Sequence, residues 1–110
     1  MVKNKVYFVD KKLESVFNEL LNGGSEKRTL HSYIDRAIDD LCDKPFDYIK
    51  IRKFKWPRDY IQKYEITNLW KYDLPNGWRL IYTIKNNEIG IISIILEWFS
   101  HKEYKKRFNY

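Results

Sequence analysis

The sequence has little of the residues that hold a small secreted scaffold or a metal site together. It contains one cysteine, Cys42, and two histidines, which excludes a disulfide framework and a thiolate metal centre. Three prolines and four glycines are too few for a linker-rich chain. The longest apolar run, Ile89–Leu96, has eight residues, whereas a membrane-spanning helix needs about twenty. Met1–Lys5 leads into only a short apolar stretch, unlike a secretory signal. We therefore expect a cytoplasmic protein with no membrane partner.

Apolar and aromatic residues are plentiful enough to build one core. Hydrophobic residues make up 44% of the 110 residues, and aromatic residues make up 17%. A chain of this length buries roughly two-thirds of the surface of its unfolded state. We predict a single domain over residues 1–110, with a basic, aromatic connecting segment at residues 44–66.

Positive charge is concentrated in one part of the chain. The net charge is +6, and residues 44–64 carry seven basic and two acidic side chains, whereas residues 1–43 are net −1. A local concentration of positive charge favours a polyanion as binding partner. In the cytoplasm, nucleic acid is favoured over lipid as that partner. A lysine-rich solvated face is the alternative interpretation.

The candidate RNA-binding residues belong to this basic segment. Lysine and arginine neutralise phosphates, and aromatic faces stack on unpaired bases. The alternative is that Phe54, Trp56 and Ile61 are core residues with lysine stems packed over them. The candidates are Lys50, Arg52, Lys53, Lys55, Trp56 and Arg58.

The first half of the chain predicts a strand and a helical hairpin. Lys5–Val9 is rich in β-branched and aromatic residues, which is typical of a strand. Asp10 is the expected N-cap of a first helix, whose apolar residues recur at helical spacing up to Gly23. Ser25 is the expected N-cap of a second helix that ends before Pro45. The two helices cannot bury both of their apolar faces against each other, so we expect them to pack on a sheet.

The second half predicts a three-stranded antiparallel meander. Its strands are expected over residues 68–74, 78–84 and 89–98, the last apolar enough to be central and covered on both faces. Residues 46–64 indicate an irregular edge strand and a short helical turn from Trp56. Ser100–Phe108 is compatible with a short C-terminal helix. The predicted class is α+β, with the N-terminal strand and helical hairpin packed on a mainly antiparallel sheet.

Two stretches resemble a known family. Gly77–Tyr82 reads GWRLIY and resembles the glycine-aromatic-arginine-leucine-valine-tyrosine strand of the RelE/ParE toxin superfamily. Leu96–Tyr104 reads LEWFSHKEY and is similar to the histidine- and tyrosine-bearing C-terminus of its RelE-like members. The element order also matches a RelE-like fold, except that residues 44–66 exceed the usual connection. The resemblance implies the toxin of a type II toxin–antitoxin pair, an mRNA interferase that cuts mRNA on the ribosome and is neutralised by a small antitoxin protein.

Cleavage of this kind uses the RNA 2′-hydroxyl as nucleophile, so neither a metal nor a small-molecule cofactor is expected. The protein must remove a proton, stabilise charge on the phosphate and protonate the leaving 5′-oxygen. Arg79 occupies the position of the family's strand arginine, and a guanidinium matches phosphate oxygens. Lys71 resembles a lysine of the preceding strand, although the family usually has two. The structural alternative pairs Arg79 with Glu65, Asp73 or Glu97.

The acid and base candidates lie near the end of the sequence. His101 titrates near neutrality, and Tyr104 can supply or position a proton. Their structural alternatives are a surface helix turn and core packing. Glu97 is a further candidate for the general base, because some relatives use a carboxylate. Two other functions remain open: a catalytically inactive RelE-fold module that binds nucleic acid or protein, and a ParE-like gyrase-inhibiting toxin.

Overall fold

The computed structural model describes residues 3–109 and shows an α+β fold, as expected. One mixed sheet has the strand order β1-β5-β4-β3-β2, in which β1 runs parallel to β5 and all other neighbours are antiparallel. The strands are β1 (Lys3–Phe8), β2 (Ile49–Lys50), β3 (Trp70–Asp73), β4 (Arg79–Asn86) and β5 (Gly90–Phe99). The helices are α1 (Lys11–Glu19), α2 (Ser25–Asp43), α3 (Arg58–Tyr64) and α4 (His101–Arg107).

Helices α1 and α2 cover one face of the sheet. Their apolar stripes include Phe17, Ile34 and Leu41, which form one cluster with Tyr82 and Ile95 of the central strands. The helical spacing of those apolar residues is what places them on a single face. The predicted helical hairpin and its packing on the sheet are therefore confirmed.

Helices α3 and α4 cover the opposite face. Tyr60 of α3 and Tyr104 of α4 join Ile81 and Leu96 of the sheet in a second cluster, which is completed by Phe108. Strand β5 lies between β1 and β4 and contributes to both clusters, so it is central and covered on both faces, as its apolar composition predicted.

Several local expectations need correction. Ser25 is not the N-cap of α2: the helix begins at Ser25, Gly24 is the cap, and it makes no side-chain cap bond. Strand β3 begins at Trp70 rather than residue 68, because the side chain of Asn68 replaces backbone pairing by bonding both backbone groups of Ile84. The notion that Phe54 and Ile61 are core is wrong, since both are exposed.

The short elements of residues 44–66 take the predicted form. Strand β2 pairs with β3 at the sheet edge, and α3 starts directly after Trp56-Pro57. No helix within residues 3–109 is long and apolar enough to cross a membrane.

Candidate functional site

The site begins at Arg79, the first residue of β4. In the sheet register Arg79 lies opposite Asp73 of β3 on one side and Phe99 of β5 on the other. A 3₁₀ turn at Pro75–Gly77 brings the two strands together, with Asn76 at φ 60° and Gly77 at φ 80°. Glycine and asparagine are the residues that adopt positive φ most readily. The turn therefore places Arg79 where three strands and the start of α4 meet.

The guanidinium of Arg79 is held on several sides. Its Nε lies 3.0 Å from Oδ1 of Asp73, and its Nη1 donates a 2.6 Å hydrogen bond to the carbonyl oxygen of Gly77. Its Nη2 lies 3.4 Å from Nδ1 of His101. Of the three acidic residues considered as ion-pair partners of Arg79, Asp73 is the one that lies beside it. This contact fixes the orientation of the guanidinium group.

His101 reaches Arg79 because α4 begins immediately after β5. Ser100 caps the helix: its hydroxyl accepts from the backbone N–H of Glu103, and the Glu103 carboxylate accepts from the backbone N–H of Ser100. An arginine only donates, so the approach of Arg79 to Nδ1 requires an unprotonated Nδ1. Nδ1 of His101 can accept from Arg79 only in the tautomer that carries the proton on Nε2.

Tyr104 binds two cations to its ring. It is only 4% exposed, with Nζ of Lys71 5.2 Å and Cζ of Arg79 5.5 Å from its ring centroid. Its ring also stacks on Phe108 at 4.7 Å. Cations over an aromatic ring are attracted by its quadrupole, so Tyr104 holds Lys71 and Arg79 close together against their mutual repulsion.

The cluster formed by Lys71, Asp73, Arg79, His101 and Tyr104 is hereafter the arginine cluster. Nζ of Lys71 lies 3.7 Å from the same Oδ1 of Asp73 that contacts Arg79, so two cations share one carboxylate. The cluster retains a surplus positive charge when His101 is neutral. Such a group is suited to an oxyanion such as a phosphate.

Glu97 belongs to a different ionic group. A register shift in the β4–β5 pairing leaves Leu96 as an extra residue and places Glu97 opposite Ile81. Its Oε1 lies 3.4 Å from Nη2 of Arg107, which lies 2.6 Å from Oδ2 of Asp59. The hydrogen bond from Arg107 lowers the pKa of the Asp59 carboxyl. Within the described residues, the contacts of Glu97 therefore lead to Arg107 and α3 rather than to the arginine cluster.

A shallow hollow of about 290 Å³ joins the basic segment to the arginine cluster. We call it the basic hollow. Among the described residues it is lined by Ile49, Lys50, Ile51, Arg52, Phe54, Lys55, Lys71 and Tyr104. Half of the predicted RNA-binding set therefore lines a surface that is continuous with Lys71 and Tyr104.

The other predicted RNA-binding residues lie outside that lining. Lys53 and Arg58 are exposed, whereas Trp56 is partly buried and its indole N–H donates to the carbonyl oxygen of Ile51 at 2.8 Å. Sequence reasoning missed Phe54, which is 76% exposed at the rim of the basic hollow. Its position between two lysines was the available signal, because a side chain flanked by charges is harder to bury.

No metal site accompanies these groups in the part of the chain that the structure describes: no three His, Cys, Asp or Glu side chains are gathered to hold an ion. Comparisons with protein-family models, curated proteins and solved structures find no significant match for this chain. The functional argument therefore rests on the contacts of the arginine cluster and the basic hollow.

Proposed function

We propose that this protein is a RelE-like endoribonuclease of a toxin–antitoxin pair that cleaves mRNA on the ribosome. The observation that carries the proposal is the convergence of Arg79, Lys71, His101 and Tyr104 through direct contacts. These are residue types that the reaction needs, and they come from three separate elements. The resemblance of the Arg79 strand and of the C-terminal motif supports the same assignment. A RelE-like fold, a small antitoxin partner and a cytoplasmic location belong to this proposal.

In the proposed reaction the scissile phosphate lies against Arg79 and Lys71. The 2′-oxygen attacks the adjacent phosphorus, the bond from phosphorus to the 5′-oxygen breaks, and a 2′,3′-cyclic phosphate is formed. The two cations stabilise the negative charge that grows on the phosphate oxygens in the transition state. Because Arg79 then binds phosphate instead of Nδ1 of His101, that nitrogen becomes available to accept the proton of the 2′-hydroxyl.

Tyr104 supplies the remaining proton in this scheme. Its hydroxyl protonates the leaving 5′-oxygen; afterwards His101 releases the proton it has accepted to solvent and Tyr104 takes one up from solvent, which restores both side chains. Lys71 and Arg79 lie against its ring, so the proton donor and the two phosphate-binding cations of the scheme are neighbours. Glu97 has no part in the scheme, because its carboxylate lies beside Arg107.

A second candidate, RNA binding without cleavage, is favoured by the salt bridge to Asp73. Asp73 lies 3.0 Å from Nε of Arg79 and the Gly77 carbonyl accepts from Nη1, so a phosphate must displace one of these groups before it can bind the guanidinium with two oxygens. If this displacement does not occur, the arginine cluster has only a structural role, and RNA binds only in the basic hollow. Cleavage assays separate the two candidates.

The test is the mapping of mRNA ends after induction of each variant. Arg79→Ala removes transition-state stabilisation, and the loss of such a group typically costs about a hundredfold or more in rate. His101→Ala and Tyr104→Phe should each slow cutting by a smaller factor, within the ~10²–10⁴-fold that acid and base groups contribute.

Arg28→Ala is the matched control. Arg28 is exposed on α2 and also donates to a glycine carbonyl, that of Gly23 at 2.8 Å. Its loss should leave cutting unchanged. Undiminished cutting by Arg79→Ala that is folded by circular dichroism rejects the mechanism, and absence of cutting by the unmodified protein favours the binding module.

A further inference from the structure

Phe54 is presented to solvent by a well-anchored turn. Residues 53–55 form a single 3₁₀ turn, closed by hydrogen bonds from the backbone N–H groups of Lys55 to Arg52 (2.9 Å) and of Trp56 to Lys53 (3.1 Å). On its two sides Ile51 is buried and Trp56 is bonded to the Ile51 carbonyl. A large aromatic ring that is 76% exposed on a fixed turn is pre-organised for contact with another molecule.

The surface around Phe54 is cationic. Lys50, Arg52, Lys55 and Lys71 line the basic hollow with it, and no aspartate or glutamate is among its lining residues in the part of the chain described. Nζ of Lys55 lies 5.8 Å from the Phe54 ring centroid and also donates to the carbonyl oxygen of Asn109 at 3.1 Å. An exposed ring among cations is the combination with which proteins bind single-stranded nucleic acid, whose bases stack and whose phosphates pair.

The size and position of the basic hollow indicate how much RNA it takes. Its volume of about 290 Å³ lies just below the range of about 300–1,000 Å³ that is typical of ligand pockets, and suits one nucleotide rather than a duplex. Lys71 and Tyr104 line it and also belong to the arginine cluster. A base in the hollow therefore belongs to a nucleotide close to the phosphate that the cluster binds.

We propose that the basic hollow is a nucleotide subsite in which one unpaired RNA base stacks on Phe54 and its phosphate lies between the lysine side chains. The choice of RNA as occupant rests on the proposed function, because the hollow opens onto the arginine cluster. The stacking face is indifferent to base identity, so the subsite contributes affinity and positioning rather than a fixed sequence preference.

The test is equilibrium binding of a single-stranded RNA that cannot be cut. The probe is a hexanucleotide with 2′-fluoro sugars and one 2-aminopurine, whose fluorescence falls when the base stacks. Phe54→Leu keeps an apolar side chain but loses the flat ring, and should weaken binding about 5- to 150-fold. Phe54→Trp should retain both the affinity and the quenching.

Ile89→Ala is the matched control, because Ile89 is also apolar and is 70% exposed at the β4–β5 turn. It should bind as tightly as the unmodified protein. Equal affinity and quenching in Phe54→Leu overturns the subsite. Failure of the probe to bind, with Phe54-dependent binding of an acidic peptide instead, also overturns it and identifies the hollow as a protein-binding surface.

The experiments can reject the nucleotide subsite and the nuclease activity independently of each other. If mRNA is not cut but the probe binds in a Phe54-dependent way, the subsite stands and the nuclease is rejected. If mRNA is cut and the probe binds without regard to Phe54, the nuclease stands and the subsite is rejected.

Discussion

Asp73 is the residue that pairs with both cations of the arginine cluster. One of its oxygens lies 3.0 Å from Arg79 and 3.7 Å from Lys71, yet its side chain is 47% exposed. Ion pairs at such exposure contribute only about 0–1 kcal/mol to the free energy of unfolding. The carboxylate therefore matters more for holding two cations in position than for stability. A phosphate that presents two oxygens to the same cations is its natural competitor.

Gly77 is the residue that permits the close approach of the turn to α4. Its φ is +80°, and a Cβ placed on it lies 3.2 Å from Cβ of His101. We predict that Gly77→Ala lowers the free energy of unfolding by about 1–2 kcal/mol, the cost of a left-handed conformation in an L-residue. The same change should move His101. Urea denaturation measures the first effect, and the imidazole resonances of His101 in NMR spectra measure the second.

Gly24→Ser is the control for that glycine replacement. Gly24 has a negative φ and open space around its Cβ position, and serine is a better N-cap than glycine by a few tenths of a kcal/mol. It should preserve or slightly raise stability and leave the His101 resonances in place. Unshifted His101 resonances in Gly77→Ala would contradict the role given to Gly77.

At the scale of elements, the site depends on how α4 is attached. The helix has seven residues, too few to be stable by itself, so tertiary contacts hold it. Tyr104 and the adjoining Phe108 are buried in the second cluster, and Arg107 pairs with Asp59 of α3. His101 and Tyr104 are therefore positioned only while α4 is docked.

The pairing between α4 and α3 predicts a pH dependence of stability. The hydrogen bond from Arg107 lowers the pKa of Asp59 in the folded state below its ordinary value of 3.8. The stabilisation is therefore present above that value and is lost as the pH falls through the folded-state pKa. Because Asp59 is exposed, we expect about 0.2–1 kcal/mol.

Urea denaturation at pH 6 and at pH 2.5 measures this effect. Asp59→Asn should lose less stability on acidification than the unmodified protein. Asp35→Asn, which changes an exposed carboxyl group on α2, is the control and should retain the full acid sensitivity. If all three proteins lose the same amount of stability on acidification, Asp59 is not the source of the acid sensitivity.

Periodicity explains which elements the sequence predicts. Helices α1 and α2 follow from the helical spacing of their apolar residues, and strand β5 follows from a nearly continuous apolar run. Residues 44–66 have aromatics and charges without a period, so spacing cannot tell which aromatic is buried. Tyr60 is fully buried, whereas Trp56 is partly buried and its indole N–H donates to the Ile51 carbonyl; tertiary contacts determine both placements.

In the candidate site, too, the sequence predicts the placement of some residues and not of others. Arg79, His101 and Tyr104 meet because β4 and β5 are adjacent and α4 follows β5 at once, which the element order already implies. The placement of Glu97 follows from the bulge at Leu96. That bulge sits at the end of three consecutive apolar residues, Ile94-Ile95-Leu96, so alternation does not predict it.

At the scale of the whole molecule, the helices that cover the two faces of the sheet differ in net charge. Residues 44–64, net +5, contribute Ile51 and Tyr60 to the cluster on the α3–α4 side. The opposite face is covered by α1 and α2, which belong to a part of the chain that is net −1. A polyanion should therefore be attracted more strongly to the α3–α4 side.

This asymmetry predicts where charge reversal matters. Lys50→Glu with Arg52→Glu should weaken binding of single-stranded RNA, whereas Lys11→Glu with Lys12→Glu, an equal change on α1, should have little effect. Each phosphate contact contributes about 0.7 to the slope of log K against log salt for single strands. The first double variant should reduce that slope by about 1.4. Equal slopes in both double variants would contradict a localised binding face.

The parallel pairing of β1 with β5 has a mechanical consequence. Six residue pairs, from Lys3 with Gly90 to Phe8 with Ile95, join two strands that point the same way. A force applied at the start of β1 and the end of β5 pulls these strands past each other lengthwise and loads all the pairs together. An antiparallel hairpin such as β4–β5, pulled open at its free ends, yields one pair at a time. Under tension applied in that direction, this sheet resists by shear, and the rate of unfolding is set by the simultaneous rupture of one seam.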